Sequence, residues 1–206
     1  KTSYINYLKY SEDFTNRALA DGWESGAHGT VTTNVEIAPD GTQTADKYVP
    51  ATNSTLSHIL VQGASPAING TISVHVKSAG MSHVSLIGQH ASNNAAATGV
   101  SFNLTNGTVH TSHNANGVIT DVGNGWYRIE VQPTYTTTIP YVVIQPHNNL
   151  TPDTSYRFRT TYAGNGTDGI FLWGSMLSDN ATDKGDYIKT TSTINSAPRF
   201  THERVE

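Results

Sequence analysis

Eight Asn-Gly and Asp-Gly pairs punctuate this chain: Asp21-Gly22, Asp40-Gly41, Asn69-Gly70, Asn106-Gly107, Asn116-Gly117, Asn124-Gly125, Asn165-Gly166 and Asp168-Gly169. Each tolerates the positive φ that two-residue hairpin turns require, so a chain this rich in them is committed to short, reversing strands. The segments between them agree. In residues 71–78, Ile72, Val74 and Val76 face one way, and Ser73, His75 and Lys77 the other. In residues 126–132, Tyr127, Ile129 and Val131 oppose Arg128, Glu130 and Gln132. In residues 141–147, Val142 and Ile144 oppose Tyr141, Val143, Gln145 and His147. Period-two alternation with frequent turns predicts an all-β sandwich or barrel. Thr, Ser, Asn and Gly supply 29, 18, 17 and 18 of the 206 residues. That composition suits hydroxyl-rich strands and tight turns and argues against helical bundles. Residues 11–20 are the best helical candidate, but they are short and weakly periodic, so at most a turn or two of helix is expected.

No segment is long or biased enough to divide the chain. Residues 91–98 read as a loop, and alternation fades towards the C-terminus. Residues 1–190 therefore read as one domain and 191–206 as an exit segment. The opening Lys1-Thr2-Ser3-Tyr4 has neither an initiator Met nor a signal core, as expected of an excised or processed chain. There is no Cys, which excludes disulfides, thiolate zinc and cysteine nucleophiles. A net charge of −4 gives no reason to expect nucleic acid or an anionic membrane as partner. No apolar run reaches the roughly 18 residues a membrane span needs.

Nine histidines invite a metal site, but their spacing does not support one. His110 and His113 are the closest pair, and no His-Glu-x-x-His motif occurs. The expectation is no transition-metal centre, with the imidazoles serving as polar strand and loop residues. Gly-x-Ser-x-Gly is absent. Most carboxylates adjoin turn residues, whereas Glu36 and Glu130 sit in strand-like runs, and sequence alone does not pair them for hydrolysis. Gly164-x-Gly166-x-x-Gly169 is followed by the strand-like Ile170-Phe171-Leu172-Trp173 rather than a helix. It reads as a hairpin turn, not a dinucleotide loop. Glycosylation sequons at Asn53, Asn69, Asn103, Asn106, Asn149, Asn165 and Asn180 are expected by chance in a chain so rich in Asn and Thr.

Four segments taken in order are more specific. They are Leu8-Lys9-Tyr10-Ser11-Glu12-Asp13-Phe14-Thr15-Asn16 followed by Trp23; Ala38-Pro39-Asp40-Gly41-Thr42-Gln43-Thr44-Ala45-Asp46-Lys47; Gly125-Trp126-Tyr127-Arg128-Ile129; and Gly169-Ile170-Phe171-Leu172-Trp173-Gly174-Ser175-Met176-Leu177 with Tyr187-Ile188-Lys189-Thr190. Together they resemble the carbohydrate-binding-module-like β-jelly-roll domains of bacteriophage tail fibres and other virion proteins, which are similar to family 4/9 carbohydrate-binding modules. Ala197-Pro198-Arg199-Phe200-Thr201-His202 resembles a segment that borders such domains. The chain departs from the pattern at Leu177-Ser178-Asp179, where Leu-Glu is usual, and at Lys189, where Pro is usual.

The resemblance implies an all-β jelly-roll sandwich of two antiparallel sheets, in a phage tail or a secreted protein. It implies a non-catalytic module for a polysaccharide or cell-surface glycan. No cofactor is implied, although a structural calcium held by loop carboxylates such as Asp13 and Asp46 is compatible with it. A structural spacer or homotrimer-forming unit is the alternative, and a depolymerase a weaker one. Sugar recognition on a sheet face needs aromatic planes and hydrogen-bonding side chains at alternate positions. His58, His75, Lys77, Gln89, His90, Tyr141, Gln145 and His147 offer such groups. His75, Lys77, Tyr141, Gln145 and His147 are the expected ligand set, forming one patch if their two strands share a sheet. Trp126 and Trp173 are expected to pack rather than to stack on sugar, and Trp23 to close one end of the sandwich.

Overall fold

The computed structural model describes residues 4–25, 28–90, 96–179 and 186–197, which build fifteen β-strands and no α-helix. An eight-stranded sheet runs in the order β10 (Ala115–Gly123), β11 (Trp126–Pro133), β6 (Thr71–Ala79), β14 (Gly169–Ser178), β1 (Tyr4–Asn6), β15 (Asn195–Ala197). In the same sheet β3 (Ala45–Pro50) also pairs with β14, and β2 (Gly29–Glu36) with β3. The opposing sheet is β5 (Leu60–Ile68), β12 (Ile139–His147), β7 (His83–Gln89), β8 (Thr98–Asn103), β9 (Thr108–His113). A small third sheet pairs β13 (Tyr162–Ala163) with β4 (Ser54–Thr55). All these pairings are antiparallel, and the chain crosses between the large sheets repeatedly, as a jelly-roll sandwich requires.

The turn chemistry explains most of the reversals. Asn124 and Gly125, at φ of 55° and 80°, join β10 to β11 in the conformation Asn-Gly favours. Asn106-Gly107 lies between β8 and β9, and Asp40-Gly41 between β2 and β3. Asn116-Gly117 does not turn: it lies inside β10, in register with Gln132 and Val131. A Cβ on Gly117 would stand 2.5 Å from Val100 Cγ1, so this glycine serves a close approach instead.

Alternation fills the space between the sheets. Ile72, Val74, Val76, Ile129, Val131, Ile170 and Leu172 meet Leu60, Val84, Leu86, Val100, Val142 and Ile144, all buried. Each such side chain is stabilised by roughly 1.5–3 kcal/mol relative to exposure. Trp23 is fully buried in this core, its ring 5.1 Å from that of Phe14.

Residues 11–20 contain turns but no helix. Of the loop expected at 91–98, residues 91–95 lie outside the described residues, and Thr98 opens β8. The segment read as an exit contains a short strand. Its residues Asn195–Ala197 form β15 and pair with β1, Tyr4 opposite Ala197. Three residues are too few to show alternation. Residues 198–206, including the bordering segment from Pro198, lie outside the described residues. No helix among the described residues is long and apolar enough to cross a membrane.

Candidate functional site

β6 belongs to the eight-stranded sheet and β12 to the five-stranded one. The expected ligand set therefore does not form one patch. His75 and Lys77 leave one outer face of the sandwich, while Tyr141, Gln145 and His147 leave the other. Alternation assigned the outward direction correctly but carries no information on which sheet a strand joins.

The first face is covered by aromatic packing. Trp126, Trp173, Ala38 and Ala45 form a buried cluster with Phe171 and Tyr187 against it. Trp126 Nε1 donates to Ile37 O at 2.9 Å, and Trp173 Nε1 to Thr44 Oγ1 at 3.1 Å, so the β2–β3 connection is tied over the sheet. His75 is buried here, its ring 5.2 Å from Trp173 and 6.2 Å from Tyr187, both near edge-on. Tyr187 donates to Glu12 Oε1 at 3.0 Å, and burial holds its hydroxyl well above the usual phenol range. Lys77 remains partly exposed and pairs with Glu36 at 3.4 Å. Glu130 is buried beside Arg128, whose guanidinium burial pushes down.

The second face is roofed by the chain itself. Gln145 points away from the core but is fully buried. Its Nε2 donates to Leu56 O at 3.1 Å and Thr160 O at 3.0 Å. Its Oε1 accepts from Thr160 N at 2.8 Å and Thr160 Oγ1 at 3.2 Å. Gln145 is thus a bracket holding two covering segments on the sheet, not a group facing solvent. His147 is buried too. Leu150 N donates to its Nδ1 at 3.3 Å, so Nε2 carries the proton and faces Ser85 Oγ and Ser101 Oγ at 3.1 and 3.0 Å. His83 stacks on it at 5.5 Å, and His110 lies 4.8 Å from His83. Burial pulls His147 down to about 3, with His83 and His110 adding to it, and burial lowers His83 as well. His58 is buried with its ring nitrogens against the carbonyls of His28, Asn53 and Tyr162, and His90 Nε2 faces Thr137 Oγ1.

On this second face Tyr141 stays partly exposed, and it sits opposite Gln89 in register. Gln89 Oε1 accepts a hydrogen bond from Arg159 Nη2. Arg159 is 7% exposed, and its Nε has no partner among the described residues. Burial, with Arg157 adding to it, pulls the guanidinium down to about 10. Arg159 lines a cleft of about 190 Å³ together with Leu56, Asp153, Tyr156 and Thr161. Tyr156 is 40% exposed, with Arg157 5.6 Å from its ring centre.

The loop that delivers these groups is closed by a bridge between Asp153 and Arg159, Asp153 N donating to Arg159 O at 2.9 Å. Within it Arg157 and Phe158 both have positive φ, 59° and 54°. Two consecutive bulky residues in that region cost roughly 1–3 kcal/mol each, so packing elsewhere must hold them there. Phe158 supplies it: the ring is fully buried among Ile59, Ile87, Ala97 and Val143 and lies parallel to His113 at 6.2 Å. It occupies the space a side chain on Gly99 would need, since a Cβ there would stand 2.3 Å from Phe158 Cδ1.

Sequence reasoning missed Tyr156 and Arg159. The available signal was Tyr156-Arg157-Phe158-Arg159, in which two of the six arginines of a weakly charged chain alternate with two aromatics. Asp13 and Asp46, the pair compatible with calcium, are committed to protein donors. Asp13 Oδ2 meets Arg17 Nη2 at 2.6 Å and its Oδ1 accepts from Thr15. Asp46 accepts from Phe14 N and Asn34 N, one on each oxygen. Among the described residues no group of three or more His, Asp or Glu is arranged around a metal position. The chain matches no model of a known protein family and no curated protein, so what it binds has to be read from its own residues.

Proposed function

We propose that this chain is a non-catalytic carbohydrate-binding module of a phage tail or secreted protein, recognising a host or environmental polysaccharide. One observation carries the reading. The exposed ring of Tyr156 stands at a cleft with Arg159, beside a sheet margin bearing Tyr141 and Gln89. An aromatic plane flanked by fixed hydrogen-bonding groups suits a pyranose, whose apolar face stacks while its hydroxyls exchange bonds with water. Each exchange gains only about 1 kcal/mol, so binding to one copy is weak. The resemblance of the four sequence segments to carbohydrate-binding modules supports the same reading. The test is affinity electrophoresis through gels containing a panel of bacterial surface polysaccharides. At least one gel is expected to retard the protein without releasing sugar, and Tyr156→Ala and Tyr141→Ala to relieve the retardation. Passage of the wild type through every gel unretarded would refute the proposal, and release of sugar fragments would establish a depolymerase instead.

A second reading, a spacer or trimer-forming unit, is favoured by the edge strands. β9 and β10 border their sheets and expose Val109, Val118 and Val122. A homotrimer at micromolar concentration in analytical ultracentrifugation, dispersed by Val118→Lys, would support it.

A further inference from the structure

We infer that the sugar this module takes carries a carboxylate, and that the Arg159 guanidinium receives it; this rests on the carbohydrate-binding reading above. A buried cation is normally paired with a carboxylate, because leaving it unpaired forfeits its hydration without return. Arg159 breaks that rule. It is 93% buried by residue area, yet none of the ion pairs among the described residues includes it, and its one side-chain hydrogen bond goes to a neutral amide, Gln89. Nε is itself buried and has no acceptor among the described residues, while other atoms of the same residue line the cleft. A guanidinium presents its donors as a planar fork that matches the two oxygens of a carboxylate. Gln89 fixes one arm of that fork and so sets its plane.

The cleft lining suits an acidic ring. It holds one cation, Arg159, and one carboxylate, Asp153. Asp153 is turned onto Ser155, accepting from its N at 2.8 Å and its Oγ at 2.6 Å. Tyr156 supplies a plane for the ring, and Thr161 a hydroxyl at the cleft wall. At about 190 Å³ the cleft is smaller than the roughly 300 Å³ at which pockets for drug-sized ligands begin, which fits one monosaccharide. The positive φ values at Arg157 and Phe158 come just before Arg159, whose backbone closes the loop by its bridge to Asp153.

The test uses four small probes on the whole ¹⁵N-labelled protein: sodium glucuronate, its neutral methyl ester, glucose, and sodium acetate. The readout is the arginine Nε–H region and the backbone amides of residues 153–161. Glucuronate is expected to move the Arg159 Nε–H resonance and to bind at least tenfold tighter than the ester, glucose or acetate. Arg159→Gln is expected to erase the tenfold preference, whereas Tyr156→Ala weakens all three sugars together. The wild-type titrations stand even if a variant fails to fold, and Arg159→Lys is a second variant that keeps charge and loses the fork. If ester and acid bind equally through residues 153–161, the carboxylate inference falls and the sugar reading survives. If acetate binds as tightly as glucuronate, the site takes bare anions and the inference falls. If none of the three sugars moves these resonances, the inference falls and the sugar reading loses this cleft; the polysaccharide gels then decide that reading separately.

Discussion

His147 shows how a residue chosen for its polarity can end up governing stability instead. Buried, with Nδ1 accepting from Leu150 N, it is held neutral, and its pKa falls from the ordinary 6.5 to about 3. The unfolded chain takes up a proton below pH 6.5 that the folded chain refuses until about pH 3. Stability from this group is therefore present above pH 6.5 and is lost as pH falls towards 3. Between pH 7.5 and 5 the loss is about 2 kcal/mol. Asp46 acts in the opposite sense. Burial raises it to about 6, so its ionisation costs stability as pH rises from about 4 to 6. Acidification from pH 7.5 to 5 regains about 1 kcal/mol there. The His147 contribution appears as a difference: His147→Gln should lose about 2 kcal/mol of pH dependence over that range, read from urea unfolding at both pH values. Equal slopes for the two proteins would show that His147 titrates normally.

At the scale of elements, the covering loop is held by very few anchors. Gly99→Ala would drive a methyl into the Phe158 ring, and overpacking of this kind costs typically about 1–3 kcal/mol. The substitution should lower the urea midpoint and speed hydrogen exchange at the Asp153 amide, which bonds Arg159 O. An unchanged Asp153 exchange rate would mean that Phe158 does not hold the loop. Gln145 and Phe158 also mark where the sequence stopped being legible. The faces of β6, β11 and β12 follow from period-two alternation, and the outward direction of Gln145 was correct. What alternation does not encode is the roof: Leu56 and Thr160 reach Gln145 across 89 and 15 residues of chain. For Tyr156 and Arg159 the alternation of arginines with aromatics was the one signal, and it carried no position, since a loop residue acquires its role from the surface it folds onto. Asn116-Gly117 fails differently. Asn-Gly signals a permitted φ, but Gly117 is required by the nearness of Val100, a contact between sheets.

Across the whole molecule, the two outer faces are separated by the full sandwich and share no partners, so changes on them should add. Lys77→Ala removes a half-screened ion pair with Glu36 and should cost under about 1 kcal/mol. Combined with Tyr156→Ala, its effects on melting temperature and on glycan retardation should equal the sum of the single changes. A departure beyond about 0.5 kcal/mol would show the faces to be coupled. The small cleft at the loop 153–159 has a further consequence. A recess that admits one ring leaves the rest of a polymer in water, so lengthening an oligosaccharide past two or three units should not tighten its hold on a single copy. Grip then has to come from number: copies displayed side by side convert each later attachment into a local event, at an effective concentration set by their spacing. Residence time on a glycan-coated surface would then depend on how many copies stand within reach of neighbouring sugar chains.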